Sequence, residues 1–424
     1  MKQIAIIGGG PSGLSLAKIL QERGYRSTTV FEAKSRPGGK SHTVYEGVAN
    51  VEMGTCYTTM AHKHVKKWMK QFNINLRQNG KMLFDGAEFM DYVNVGGGLP
   101  FSLQAFKFLR DGSRLKSRLR QNPENPALIE EAAQTTLDWL RARDLPKMER
   151  FLHRVMTING YGFLDETPAI QAHRWVDWRL MVSGAFNQLH MPVEGWSEFW
   201  RRLAEDLDVR LSTPVIRIER FKEQVVINTK TGPETFDAVV CAMPLDEFLP
   251  LLDGAAEDET FVANAINWQG YTTSLIATAA PFTENHLAGY SSTLLPGAEK
   301  GHLLGARREV YEPDLGGHLY VVGQLSAGLN DADLKETCIA HLKDRGADLT
   351  AFIMQENWKY FALYDRDAIR NGLLQTMERI QGQRRTWYTG ASFSFEAISH
   401  ICRFNDDLAS QILAASTTRM GAAA

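Results

Sequence analysis

Three glycines, Gly8, Gly10 and Gly13, and an acid, Glu32, 19 residues beyond the last of them, form the arrangement with the clearest chemistry in this chain. Gly8 permits a tight turn, Gly10 lets backbone approach a pyrophosphate, and Gly13 lets a helix pack close on a strand. Pro11 and Ser12 sit between them, where the unpaired N–H groups of a helix start would face phosphate. A carboxylate about 20 residues on meets an adenosine ribose. Such a site is made largely of backbone, and it binds a dinucleotide.

The surrounding residues supply the elements this site needs. Gln3 to Ile7 is a short Ile-rich run, as a strand buried on both faces requires. Leu14, Leu16, Ala17, Ile19 and Leu20 then recur at helical spacing until Gly24, and Ser27 to Phe31 is a second strand ending at Glu32. Strand, glycine turn, helix and strand predict a parallel α/β unit.

A second glycine pair distinguishes the cofactors that share this fingerprint. Arg36, Gly38, Gly39 and Lys40 follow four residues after the acid. A nicotinamide dinucleotide needs only the first turn. The longer FAD has a ribityl chain and pyrophosphate that a second glycine segment can approach, with cations beside the phosphates. FAD, bound without a covalent link, is therefore the expected cofactor.

The stretches IAIIGGGPSG, VFEAKSRPGGKSHT and NVEMGT resemble the flavin-containing amine oxidase and phytoene desaturase superfamily. The resemblance implies a Rossmann-like FAD-binding domain of the GR2 type, with Ala33 beside Glu32 and the backbone at Val215 near adenine. It also implies a last strand at Arg385 to Ala391, with Gly390 at its end. Ala391 departs from the Glu often found there. A final amphipathic helix carries Ile401, Phe404, Leu408 and Ile412, and its start near Ser399 and His400 would face the flavin's pyrimidine edge. A closer similarity, through INGYGFLDETPA, PVEGWSEFWRRL, AVVCAMPLDEFL and ICRFNDDL, is to bacterial FAD-dependent polyunsaturated fatty acid double-bond isomerases.

With 424 residues the chain exceeds what one hydrophobic core serves. The expected division is an FAD-binding domain over 1–80, 205–265 and 360–424, a helical cap over 95–200, and a mixed-sheet substrate domain over 80–95 and 265–360. Asn125-Pro126 opens a run whose Ile129, Ala133, Leu137 and Leu140 share one helical face. Strands are expected at Val209 to Glu219, Gln224 to Asn228, Phe236 to Met243, Thr273 to Ala277 and His318 to Gln324.

Four of the nine tryptophans, Trp175, Trp178, Trp196 and Trp200, fall in residues 151–200 with Phe151, Tyr161, Phe163, Phe186 and Phe199. Two readings fit this run: an aromatic tunnel for a long apolar ligand, or core. The isomerases hold a carboxylate with an arginine in a segment that corresponds to Gln78 to Asp85. Lys81 and Phe84 occupy it here, and Lys81 is either that anchor or a solvated turn lysine.

Charged residues are 23% of the chain and the net charge is -2, so nothing in the overall balance attracts nucleic acid or an anionic membrane. No apolar window is long enough to cross a bilayer. Four scattered cysteines suggest neither disulfides nor zinc, and hence the reducing cytoplasm. The histidines show no metal spacing, and no nucleophile elbow appears. With so little acid–base chemistry on offer, the flavin itself is expected to act on an apolar small molecule. Return of its hydride to the substrate gives a double-bond isomerase, and loss of the electrons to an acceptor gives an amine oxidase-like oxidoreductase. A ligand-binding module on the same scaffold is the third reading, against which the intact phosphate motifs stand.

Overall fold

The computed structural model describes residues 3–45, 48–80, 82–283 and 286–421, with side chains to 415. A five-stranded parallel sheet runs Thr386–Tyr388, Ala238–Cys241, Ile4–Ile7, Thr28–Phe31, Val209–Arg210. Its central strand separates two cores: Ala5 and Ile7 point into one, Ile4 and Ile6 into the other. This two-faced burial explains the unbroken apolar run, since every side chain leaves water.

The first helix, Pro11–Glu22, lies against the last, Ile398–Gly421. Asn405 joins them inside the core, where it is fully buried. Its amide nitrogen donates to the Ser12 carbonyl at 2.9 Å and to Ser15 Oγ at 2.8 Å, and its oxygen accepts from Thr389 Oγ1. One side chain thus ties the first turn, the last strand and the last helix.

Two expected elements are split. The run Val209 to Glu219 divides into Val209–Arg210, in the parallel sheet, and Val215–Arg220, which opens a three-stranded antiparallel meander with Val225–Thr229 and Gly232–Phe236. Between them Ser212 has φ +51, and the amides of Ser212 and Thr213 donate to the carbonyls of Lys34 and Glu32. The helical run after Asn125 divides likewise into Pro126–Ala133 and Thr136–Arg141, because Thr135 accepts from the Asp138 amide and starts a new helix. β-Propensity and apolar spacing continue through both breaks. Capping and backbone partners impose them.

Most of the helices from Phe101 to Ala185 form a layer that shares a core with Phe84, Leu304 and Leu325 of a seven-stranded mixed sheet, while Ala132, Ala133 and Ile170 reach the core of the parallel sheet. The order of the mixed sheet is Leu349–Trp358, Tyr271–Thr278, Gly317–Leu325, Leu303–Glu312, Leu287–Gly289, Met82–Phe84, Ala87–Glu88. The fold is a Rossmann-like α/β unit interrupted by a helical layer and a mixed sheet. Helix Trp196–Glu205 departs from the expected cap: Trp196, Phe199, Trp200 and Leu203 pack in the same core as Leu14 and Leu16 of the first helix. Among the described residues no helix is long and apolar enough to cross a membrane, and all four cysteines are free thiols.

Replacing Asn405 by Ala leaves the buried Thr389 hydroxyl without its acceptor and takes a donor from both the Ser12 carbonyl and Ser15 Oγ. Urea unfolding is expected to give a loss of about 2–4 kcal/mol with an unchanged m-value.

Candidate functional site

The N-terminal glycine turn and the second glycine pair meet through their backbones. The Gly38 amide donates to the Gly9 carbonyl at 2.8 Å, and a Cβ built on Gly39 would lie 3.0 Å from the Gly10 Cα. Gly39 also has φ +52, which side chains disfavour. At Gly13 a Cβ would lie 2.0 Å from the Gly8 carbonyl oxygen, so helix and strand pack there with no room for alanine. Gly390 closes the group from the far end of the chain, where a Cβ would meet Ser12 Oγ at 3.0 Å. Residues 8–13, 38–39 and 390 are therefore one junction.

Its polar groups suit an anion. The first helix has Gly10 as N-cap, Pro11 next, and no acid in its first turn. The Ser12 and Gly13 amides donate to no acceptor among the described residues. Glu32 is held at the sheet edge by the Gly9 amide (2.8 Å) and the Lys34 amide (2.7 Å). Ala33 is exposed beside it, and Val215 is half-buried two residues after Thr213, whose amide bonds the Glu32 carbonyl. Arg36 spans the second glycine loop to the Ser41 carbonyl at 3.3 Å. A dinucleotide fits these groups: backbone donors for phosphate, a carboxylate for ribose and open glycine faces for close approach.

Lys40 differs from the expectation of a cation beside the phosphates. Its ammonium pairs with Glu396 at 2.6 Å and lies 5.2 Å from the Tyr360 ring centroid and 5.3 Å from that of Trp268. The other Glu396 oxygen accepts from the Phe361 amide at 2.8 Å. Both charges line a cavity of about 480 Å³ between the helical layer and the mixed sheet.

The wall of this cavity is mainly aromatic and aliphatic, with Phe89, Phe151, Tyr161, Trp175, Tyr271 and Tyr360 prominent. Tyr161 stacks on Tyr360 at 5.9 Å with planes 6° apart. Arg307 also lines it, with Nε paired to the buried Glu309 and a second nitrogen donating to the Glu52 carbonyl. Burial pushes the Glu52 carboxyl up to about 8, against the bonds it accepts from Trp196 and Thr43. Ser399 lines the cavity one residue inside the last helix, which starts at Ile398. His400 does not line it: burial, then the Arg403 charge, holds its ring neutral with a pKa near 3. Ala391 is half-buried after Gly390.

The expected substrate residues divide. Tyr161 belongs to the cavity. Phe84 and Phe163 are buried in the core behind the wall, and Trp178 is 49% exposed, away from it. Trp196 is buried beside the first helix, with its indole nitrogen on the Cys56 carbonyl at 3.1 Å. Lys81 lies outside the described residues. Helical spacing announces that these aromatics are buried, not what they are buried against. Phe89, Tyr271, Tyr360, Arg307 and Glu396 were not singled out in the sequence. A signal for Tyr271 existed: Gly160 and Gly323 would each place a Cβ within 2.7 Å of its side chain, and a glycine inside the strand VVGQL marks such a close approach. Cys402 is buried against the first helix, and its thiol is pushed up to about 12 by desolvation.

Two outcomes follow from this geometry. Gly39→Ala is expected to weaken FAD retention at least about tenfold, read as flavin absorbance per protein, because the new methyl group meets Gly10. His62 and His400 are both held neutral by burial, with pKa values near 3. An unfolded chain takes up protons on both below about pH 6.5, so stability is full above that pH and falls as pH drops, by up to about 1.4 kcal/mol per unit for each ring. Urea midpoints between pH 7 and 5 should fall less steeply in His400→Gln.

Comparison with known proteins agrees with this arrangement. The model of a family described as flavin-containing amine oxidoreductases matches residues 11–385. Pseudooxynicotine dehydrogenase of Pseudomonas sp is 22% identical over 286 residues, covering 60% of this chain and 54% of that protein. Probable polyamine oxidase 4 of Arabidopsis thaliana is 25% identical over 274 residues, covering 57% and 50%. The chain thus spans about half the length of these curated relatives. Among solved structures, a CLA-producing fatty acid isomerase from P. acnes superposes with a TM-score of 0.82 at 21% identity, over 97% of this chain and 98% of that one. Putrescine oxidase bound to putrescine gives 0.68 at 15% identity, over 97% and 99%. The superpositions establish a common fold, and the family match covers most of the chain: it belongs to the flavin-containing amine oxidoreductase family, and its cofactor is FAD.

Proposed function

We propose that the chain is an FAD-dependent isomerase that shifts a double bond in an unsaturated, fatty-acid-like substrate. The observation that carries this reading is the state of the charges in the cavity. Lys40 is paired with Glu396 and Arg307 with Glu309, so both of these wall cations are answered from within the protein. The ammonium of Lys40 already lies against the faces of Tyr360 and Trp268, as an alkylammonium would. What remains open to a guest is mainly aromatic and aliphatic surface, with a few neutral polar groups such as Thr55, Tyr57 and Asn159, which suits a hydrocarbon chain.

The backbone junction at Gly8–Gly13, Gly38–Gly39 and Gly390 would hold the phosphates and ribityl chain, and Glu32 the ribose. Ser399 and the start of the last helix would border the flavin. FAD would supply an acceptor for a hydride from the substrate; its return to another carbon of the allylic unit would move a double bond, and its loss to an external acceptor would leave net oxidation. Tyr161, Trp175 and Phe151 orient the chain and exclude water, so a reactive carbon meets no competing nucleophile. Oxidation of an amine or apolar small molecule is the second reading, favoured by the family's amine-oxidising relatives.

Anaerobic incubation of the purified flavoprotein with a methylene-interrupted polyunsaturated fatty acid separates them. Isomerisation is expected to give conjugated-diene absorbance over many turnovers without an acceptor. Turnover only with oxygen or another acceptor, with flavin bleaching before it is added, would overturn the isomerase reading in favour of the oxidase. Trp175→Ala is expected to lower kcat/KM about 10- to 100-fold, with flavin content unchanged.

A further inference from the structure

The overall charge of the chain conceals a local concentration. Helix Phe101–Gln121 carries Lys107, Arg110, Arg114, Lys116, Arg118 and Arg120 against one acid, Asp111. Lys107 and Lys116 turn inward to the carbonyls of Arg143 and His173, and Arg110 pairs with Asp111 at 2.8 Å. Arg114, Arg118 and Arg120 remain exposed.

The same helix and the glycine-rich turn before it expose large apolar side chains. Val95 is 58% exposed, Leu99 50%, Leu103 52% and Phe106 64%. Single exposed apolar residues need no explanation, but four within twelve positions beside arginines form a patch.

This patch adjoins the cavity wall. The Phe101 ring lies 5.2 Å from that of Phe151, and Phe151 lies 5.3 Å from Phe89; the latter two line the cavity. A Cβ on Gly184 would sit 3.6 Å from Phe151, and two residues on, Phe186 both lines the cavity and is 71% exposed, which marks the mouth.

We propose that the Val95–Phe106 face, with Arg114 and Arg118, docks on the surface of an anionic lipid bilayer and presents the cavity mouth to it. Apolar side chains beside arginines on one helix match such an interface: the former enter the acyl boundary while the latter meet lipid phosphates. A second copy of this chain would bury the apolar side chains but would give the exposed Arg114 and Arg118 no anionic partner on this helix beyond Asp111, which lipid phosphates supply. The inference extends the apolar-substrate reading by naming where the chain enters, and its test reads partition, not turnover.

The test is cosedimentation of the full flavoprotein with sucrose-loaded vesicles of phosphatidylcholine containing about a third phosphatidylglycerol, against phosphatidylcholine alone. At low salt the anionic vesicles are expected to bind about tenfold more protein, and salt at about 0.5 M to reverse this. Leu103→Ser with Phe106→Ser, and separately Arg114→Ser with Arg118→Ser, should each lower binding about tenfold while flavin content stays at the parent level. Three results would overturn the proposal: no binding at low salt, binding that neither double variant changes, or a dimer that Leu103→Ser with Phe106→Ser dissociates while vesicles bind nothing. Failure here leaves the anaerobic isomerase test unaffected.

Discussion

The backbone contact between Gly10 and Gly39 is the constraint on which the site depends. The approach is so close that a Cβ on Gly39 would lie 3.0 Å from the Gly10 Cα, at a backbone angle that side chains disfavour, so the second turn must carry glycine there. This contact brings the helix start, the end of the second strand at Glu32 and the loop bearing Arg36 and Lys40 into one place. Gly390 against Ser12 then draws in the far end of the chain, and Asn405 holds it there. The interrupted domain is therefore closed by a few close approaches and one buried amide.

From that junction the last helix leads to the cavity. Ile398 and Ser399 line the cavity while Asn405, two turns on, bonds Ser12 beside the glycine turns, so a molecule held by its phosphates at those turns would reach towards Ser399 and the aromatic wall. The wall contributes shape and dryness more than proton transfer. Its Lys40 and Arg307 are paired within the protein, and its tyrosines are desolvated, with Tyr161 and Tyr271 raised and Tyr360 well above the ordinary phenol range. Such a site makes few demands on acid–base residues, in keeping with chemistry carried by the cofactor.

Much of the nucleotide end was legible in the sequence because it rests on local signals. Gly8, Gly10, Gly13 and Glu32 sit at spacings set by one strand–turn–helix–strand unit. The cavity end was not, because it rests on contacts between distant segments. Lys40 and Glu396 are 356 positions apart, and nothing local to Lys40 distinguishes a phosphate ligand from half of an ion pair. Trp175 and Trp196 read alike as buried aromatics, yet one faces the cavity and the other the first helix. Net charge likewise says nothing of local concentration, since it averages the arginines of Phe101–Gln121 against acids elsewhere.

The central claim, that FAD lies along the glycine junction and reaches the last helix, is tested most directly by amide hydrogen exchange on the apo and FAD-loaded protein. The account predicts that FAD slows exchange at the Ser12 and Gly13 amides, in the 38–40 loop and at 390–400 together. Unchanged exchange at those three segments, with protection elsewhere, would contradict it.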